Sequence, residues 1–170
     1  VCVWPIVGHG DWIPISPRRI TISLRIKPNV KPVFVTKKDS PTIQKRRYVD
    51  QYTRTKLLEL YTMNDRPLCE SAEDEVISAL DTELKTHDLV VVADYGHGMM
   101  TSKVIDFIIE NSAYLAVNTQ ANAGNRGFNT ISKYHKADYV CLNGGEVHLE
   151  MRMRQGSFQD MVLELSEKMD

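Results

Sequence analysis

Leu89-Val90-Val91-Val92-Ala93 runs without a break into Asp94-Tyr95-Gly96-His97-Gly98. A short apolar run closed by turn formers fits a strand covered on both faces, which is the habit of parallel sheets. The pattern recurs. Tyr114-Leu115-Ala116-Val117 leads into Asn118-Thr119-Gln120, and Asp138-Tyr139-Val140-Cys141-Leu142 leads into Asn143-Gly144-Gly145-Glu146. Helical patterns separate the runs. Val104, Ile105, Ile108 and Ile109 form one stripe after Thr101, and a second helix is expected from about Gly145. A last helix follows Ser157, with Phe158, Met161, Val162 and Leu165 inward. Strands alternating with helices imply a parallel sheet with right-handed crossovers and helices on both faces.

Upstream the texture differs. Val33–Thr36, Gln44–Tyr52 and Lys56–Met63 read as extended, the last two joined through Thr53-Arg54-Thr55 as a hairpin. KLLELYTM also has helical propensity, and strand is the preferred reading. After Pro67, Ser71 and Asp74 resemble a weak capping box, and Val76, Ile77, Leu80 and Leu84 recur at helical spacing. Residues 1–32 are an atypical N-terminal segment, 33–66 a small β section or lid, and 67–170 an α/β body. Ile131–Tyr134 is a short helix at best.

Charge is also unevenly divided. Residues 1–58 hold twelve Lys/Arg and three Asp/Glu, whereas residues 59–170 hold nine and nineteen. The basic half suits a solvated strand pair, an anionic small molecule or, less well, a nucleic acid. With 42% hydrophobic residues and a net charge of −1, intrinsic disorder is excluded. No apolar run approaches the roughly 20 residues that span a bilayer. Val1–Gly8 lacks a basic leader and reads as a chain cut from something longer. Cys2, Cys69 and Cys141 are too far apart for a zinc motif, and point to a reducing, cytoplasmic setting.

In an open α/β sheet, ligands bind beyond the carboxyl ends of the strands. If the three strands are adjacent and parallel, Asp94, Asn118, Asn143 and Glu146 converge on one crevice. Asp94 can hold a substrate hydroxyl. Gly96 and Gly98 allow a sharp turn that brings N–H groups near an anion. Glu146, in the first turn of a helix, is a hard anionic donor suited to Mg²⁺ directly or through its water shell. Asn143 can meet phosphate or cation without adding charge. Each of these residues could equally be a cap or turn former. His97 is expected to be exposed, and His87 and His148 to be structural or exposed. The amide-rich loop from Thr119 to Asn129 is long for a compact domain, and its Arg126 could address phosphate.

Val90–Thr101 (VVVADYGHGMMT) resembles the strand and turn of many PfkB, or ribokinase-like, sugar kinases, of the type SDYxKGxLT. Asn143-Gly144-Gly145-Glu146 matches that family's NxxE motif. Ser40–Leu68 is similar to the lid strands of its heptose-phosphate kinase branch, the kinase part of bifunctional ADP-heptose synthases. The likeness runs from about Val30 to Asp170. It implies an incomplete α/β domain: a ribokinase-like, mostly parallel sheet with helices on both faces and a β lid. It further implies ATP and Mg²⁺ as cofactors, a sugar or sugar-phosphate substrate, and a homodimer through the lid strands. The roles it carries over are substrate binding for Asp94, Gly96 and Arg47, and nucleotide or phosphate binding for Asn118, Asn143 and Glu146. Glu146 and Asn143 would also face the metal.

The departures are specific. The family's opening glycine-rich sugar segment has no counterpart, Val7–Asp11 is a degraded echo of a later part of that half, and Trp12–Leu24 fits no family pattern. His97 stands where a Lys is usual. No counterpart of the C-terminal GxGD motif follows Glu146, so the general base is expected beyond Asp170 and the chain by itself should be a poor kinase. The alternative is a non-catalytic, degenerate kinase-like module for binding or dimerisation. A dinucleotide-binding oxidoreductase ranks last, because it needs a GxGxxG between strand and helix.

Overall fold

A computed structural model describes the backbone of residues 2–7 and the whole of residues 29–169. The Gly8–Asp11 and Trp12–Leu24 stretches noted above lie outside the described residues. The chain divides into two compact units, Val1–Asn64 and Asp65–Asp170.

In the first unit, β1 (Cys2–Val7) pairs in parallel with β2 (Pro32–Lys37), Cys2 opposite Pro32 and Val7 opposite Lys37. The sequence reading had no strand at β1. β3 (Gln44–Val49) and β4 (Lys56–Thr62) form the expected antiparallel hairpin, so KLLELYT is strand rather than helix. Its turn is built on Asp50. The Asp50 carboxylate accepts from the Tyr52 and Thr53 amides at 3.0 and 2.7 Å, and Arg54 closes the loop in the left-handed region at φ 57°.

A two-stranded ribbon is marginal by itself, so its cross-strand pairs matter. One face carries Tyr48 opposite Leu58 and Arg46 opposite Leu60. On the other face Arg47 is ion-paired with Glu59, which also meets Lys56 at 3.3 Å and the Tyr61 hydroxyl. The Tyr61 hydroxyl, then Arg47 and Lys56, hold the Glu59 carboxyl down to about 2. The unfolded chain would titrate near 4.3. The stabilisation is therefore complete above about pH 5 and lost as pH falls toward 2. Carboxyl ¹³C NMR should place the Glu59 midpoint near 2; an ordinary midpoint near 4 would rule the network out.

The second unit holds α1 (Glu70–Leu84), β5 (Val90–Asp94), α2 (Ser102–Asn111), β6 (Leu115–Thr119), β7 (Tyr139–Val140), α3 (Gly144–Met151) and α4 (Phe158–Glu167), with a 3₁₀ turn at Ile131–Lys133. The strands lie in the order β5-β6-β7, all parallel, so their carboxyl ends share one edge as expected. Thr101 caps α2, its hydroxyl accepting from the Val104 amide, and Ser157 caps α4. α1 begins earlier than its sequence suggested: Cys69 is the cap residue and Ser71 lies inside the helix. Ala72, Val76, Leu80 and Leu84 form its buried stripe, and α1 packs against α2.

Two expectations are corrected. Helices do not cover both faces of this sheet among the described residues. Val92, Asp94, Leu115, Val117 and Thr119 are buried, whereas Val91 is 66% and Tyr139 56% exposed. An apolar run records that a face is suited to burial, and the cover has to come from elsewhere in space. In α4 only Met161 and Leu165 are buried, while Phe158 and Val162 are exposed. No helix among the described residues is long and apolar enough to cross a membrane.

Candidate functional site

The site begins with parity along the strands. Asp94 pairs with Thr119, and Ala93 with Asn118. Side chains alternate faces along a strand, so Thr119 rather than Asn118 shares the buried face with Asp94. Asn118 turns to the other side, where its amide donates to the Cys141 carbonyl at 2.7 Å.

Asp94 is 3% exposed and fully engaged. One carboxylate oxygen accepts from the Gly96 amide at 2.8 Å. The other accepts from the Tyr134 hydroxyl at 2.9 Å and is ion-paired with Lys133. Tyr134 is completely buried; burial first, and the Asp94 charge second, push its hydroxyl far above the ordinary phenol range. It therefore stays a proton donor to Asp94 throughout the working pH range. Sequence reasoning missed Lys133 and Tyr134, and their only signal was the short Ile131–Tyr134 turn.

The amide-rich loop clamps the turn after β5. The Asn122 and Asn125 side chains donate to the Tyr95 carbonyl at 2.9 and 3.0 Å. Buried Asn129 donates to the Asp94 carbonyl at 3.0 Å and accepts from Lys133 at 2.6 Å. Gly96 is required here, with φ 68° and a hypothetical Cβ 2.0 Å from the Asn125 amide nitrogen. His97 is less exposed than expected: its ring nitrogens are shielded and its ring stacks on Tyr95 at 6.5 Å.

The NGGE segment is a capping box at the start of α3. The Asn143 side chain accepts from the Glu146 amide at 3.1 Å, and Glu146 accepts from the Asn143 amide at 2.9 Å. The second Glu146 oxygen accepts from the Ala121 amide at 3.0 Å, tying α3 to the loop after β6.

The expected single mouth is thus two neighbouring hollows. A cleft of about 340 Å³ is lined by Asp94, Gly96, Gly98, Phe128, Asn129 and Lys133 among others. A smaller one is lined by Thr119, Asn129 and Glu146 among others, so Asn129 forms the wall between them. Asn118 and Asn143 line neither. Arg47 belongs to the first unit, and Arg126 is exposed on the loop.

Glu146, the carboxylate that the resemblance assigns to magnesium, is also held within the fold. Both Glu146 oxygens already accept backbone amides, and among the described residues no group of three His, Cys, Asp or Glu gathers to hold a metal. A magnesium ion carried on a nucleotide could still meet Glu146 through its water shell.

No family model matches the chain. It is similar to bifunctional HldE proteins of bacteria: 26% identical over 94% of its length to that of Hyphomonas neptunium, and 25% over 97% to that of Rhodopseudomonas palustris strain BisA53. The likeness to HldE is distant. The HldE protein of Wolinella succinogenes is 28% identical over 66% of the chain. In the two long alignments the chain spans only 30% and 32% of the relative's length.

Proposed function

We propose that this chain is part of an ATP-dependent sugar kinase related to the HldE proteins, moving the γ-phosphoryl of ATP to a hydroxyl of a sugar of the heptose-phosphate type. The observation that carries the reading is similarity to HldE over nearly the whole chain, joined to polar segments at the carboxyl edge of a parallel sheet. In this reading the 340 Å³ cleft with Asp94 and Gly96 takes the sugar, since its size suits a monosaccharide rather than a whole nucleotide. Asp94 serves by fixing Lys133 and the glycine turn. Asn118, Asn143 and Glu146 serve the nucleotide side, with magnesium arriving on ATP. The exposed Tyr48, Leu58 and Leu60 face of the hairpin supports a homodimer formed through these strands.

Isothermal titration of Mg·ATP into the 170-residue chain tests the nucleotide side. Saturable binding is expected, weakened about tenfold by Glu146→Gln. A chain that takes up no Mg·ATP loses the kinase reading. The second reading, a kinase-like module without catalysis, is favoured by the full engagement of Asp94 and Glu146 inside the fold. Turnover by a protein carrying this chain within the full HldE-like length would exclude it.

A further inference from the structure

Phe128 is the residue that the kinase reading leaves without a role. Its ring is 91% exposed, yet it lines the cleft beside Gly96, Asn125 and Lys133. Single exposed apolar side chains are common and by themselves mean little. This one sits on a fixed backbone. The Phe128 amide donates to the Asn125 carbonyl at 2.9 Å, and the next residue, Asn129, is 6% exposed with its side chain bonded to Asp94 and Gln120. The ring is thus held at the rim of the cleft, with its apolar surface left to water.

The charge of the cleft narrows the ligand. Lys133, the one cation of the lining, is already paired with Asp94 and bonded to Asn129. Asp65 adds a second carboxylate to the lining. With Lys133, Asp94, Asn125 and Asn129 held within the fold, Asp65 is the exposed carboxylate of the lining that suits a sugar hydroxyl. Phe128 and Met100 are the apolar side chains of the lining. The Asp65 carboxylate together with the aromatic face of Phe128 matches a ring with polar edges and a C–H face.

We infer that Phe128 is a specificity platform, stacking its ring on the C–H face of a pyranose held in this cleft by its hydroxyls. The inference deepens the kinase reading and rests on it for the sugar, but its test needs no nucleotide. Saturation-transfer NMR on the 170-residue chain with D-mannose and D-glucose, and with the open-chain polyol D-mannitol as comparison, reads the contact directly. At least one pyranose should receive saturation mainly on the C–H protons of one ring face, and mannitol should bind more weakly. Phe128→Ala should weaken pyranose binding about tenfold, and Phe128→Trp should retain it. Because the side chain is exposed, helical circular dichroism of both variants should match the parent.

The inference is overturned if no pyranose binds, if mannitol binds as well, or if Phe128→Ala leaves pyranose affinity within about twofold. It is also overturned if that change weakens Mg·ATP in place of the sugar, which would make the ring a base platform. Pyranose binding that depends on Phe128, in a chain that ignores Mg·ATP, would sustain the platform and end the kinase reading. ATP binding with an indifferent Phe128 would do the reverse.

Discussion

Asp94→Ala is expected to destabilise the 65–170 unit by about 3–5 kcal/mol, the range for removing one partner of a buried ion pair. The carboxylate serves three donors at once: the Gly96 amide, the Tyr134 hydroxyl and the Lys133 ammonium. Lys133 is 27% exposed at its side chain and can turn to water after the change. Tyr134, with no exposure, cannot, and its hydroxyl is left buried without an acceptor. Tyr134→Phe removes one hydrogen bond to a charged group and should cost less, about 1.5–3 kcal/mol. Urea unfolding followed by helical circular dichroism reads this unit, since the four α-helices of the described residues all lie in it. A loss under about 1 kcal/mol for Asp94→Ala, at the scale of a single net hydrogen bond, would mean that the carboxylate does not hold the strand end together. It would then be available to a ligand.

That outcome bears on how far such a site can be read from residues alone. The three strands of the 65–170 sheet, their parallel order and the position of the polar segments at one edge were legible, because an apolar run followed by turn formers is a local signal. Which side chains meet was not. Tyr134 reaches Asp94 across 40 positions, and Asn129 across 35. Both contacts depend on the path of an irregular loop, which has no periodicity to follow. Parity was lost for a related reason. A shift of one residue in register exchanges Asn118 for Thr119 on the face of Asp94, and the sequence carries no mark of register. Asn143-Gly144-Gly145-Glu146 shows the opposite case. Its spacing is that of a capping box, a helix start and a family motif all at once, and the structure displays the first. The open face with Val91 and Tyr139 was illegible because composition marks suitability for burial, with no indication of what supplies the cover.

Gly98→Ala should destabilise the same unit by about 2–5 kcal/mol, combining left-handed strain with a forced loop shift. Gly98 has φ 81°, and a Cβ there would stand 2.1 Å from the Arg66 carbonyl oxygen and 2.7 Å from that of Asp65. These are backbone atoms, and the segment is further fixed by the Leu68 amide donating to the Gly98 carbonyl at 3.0 Å. Neither strand of this contact can swing aside as a side chain would. At Gly96 the obstacle is different, because the Asn125 amide at 2.0 Å can rotate away at the expense of the clamp on Tyr95. Gly127 supplies the control: its φ is 82°, and nothing lies within 4 Å of its hypothetical Cβ. Gly127→Ala should therefore show the conformational cost alone, about 1–2 kcal/mol. The difference between the two variants in urea isolates the price of the close approach between 65–68 and 96–98. Equal losses would show that the two segments part freely, and the lip of the cleft formed by Asp65 and Gly98 would then be no fixed wall for a ligand.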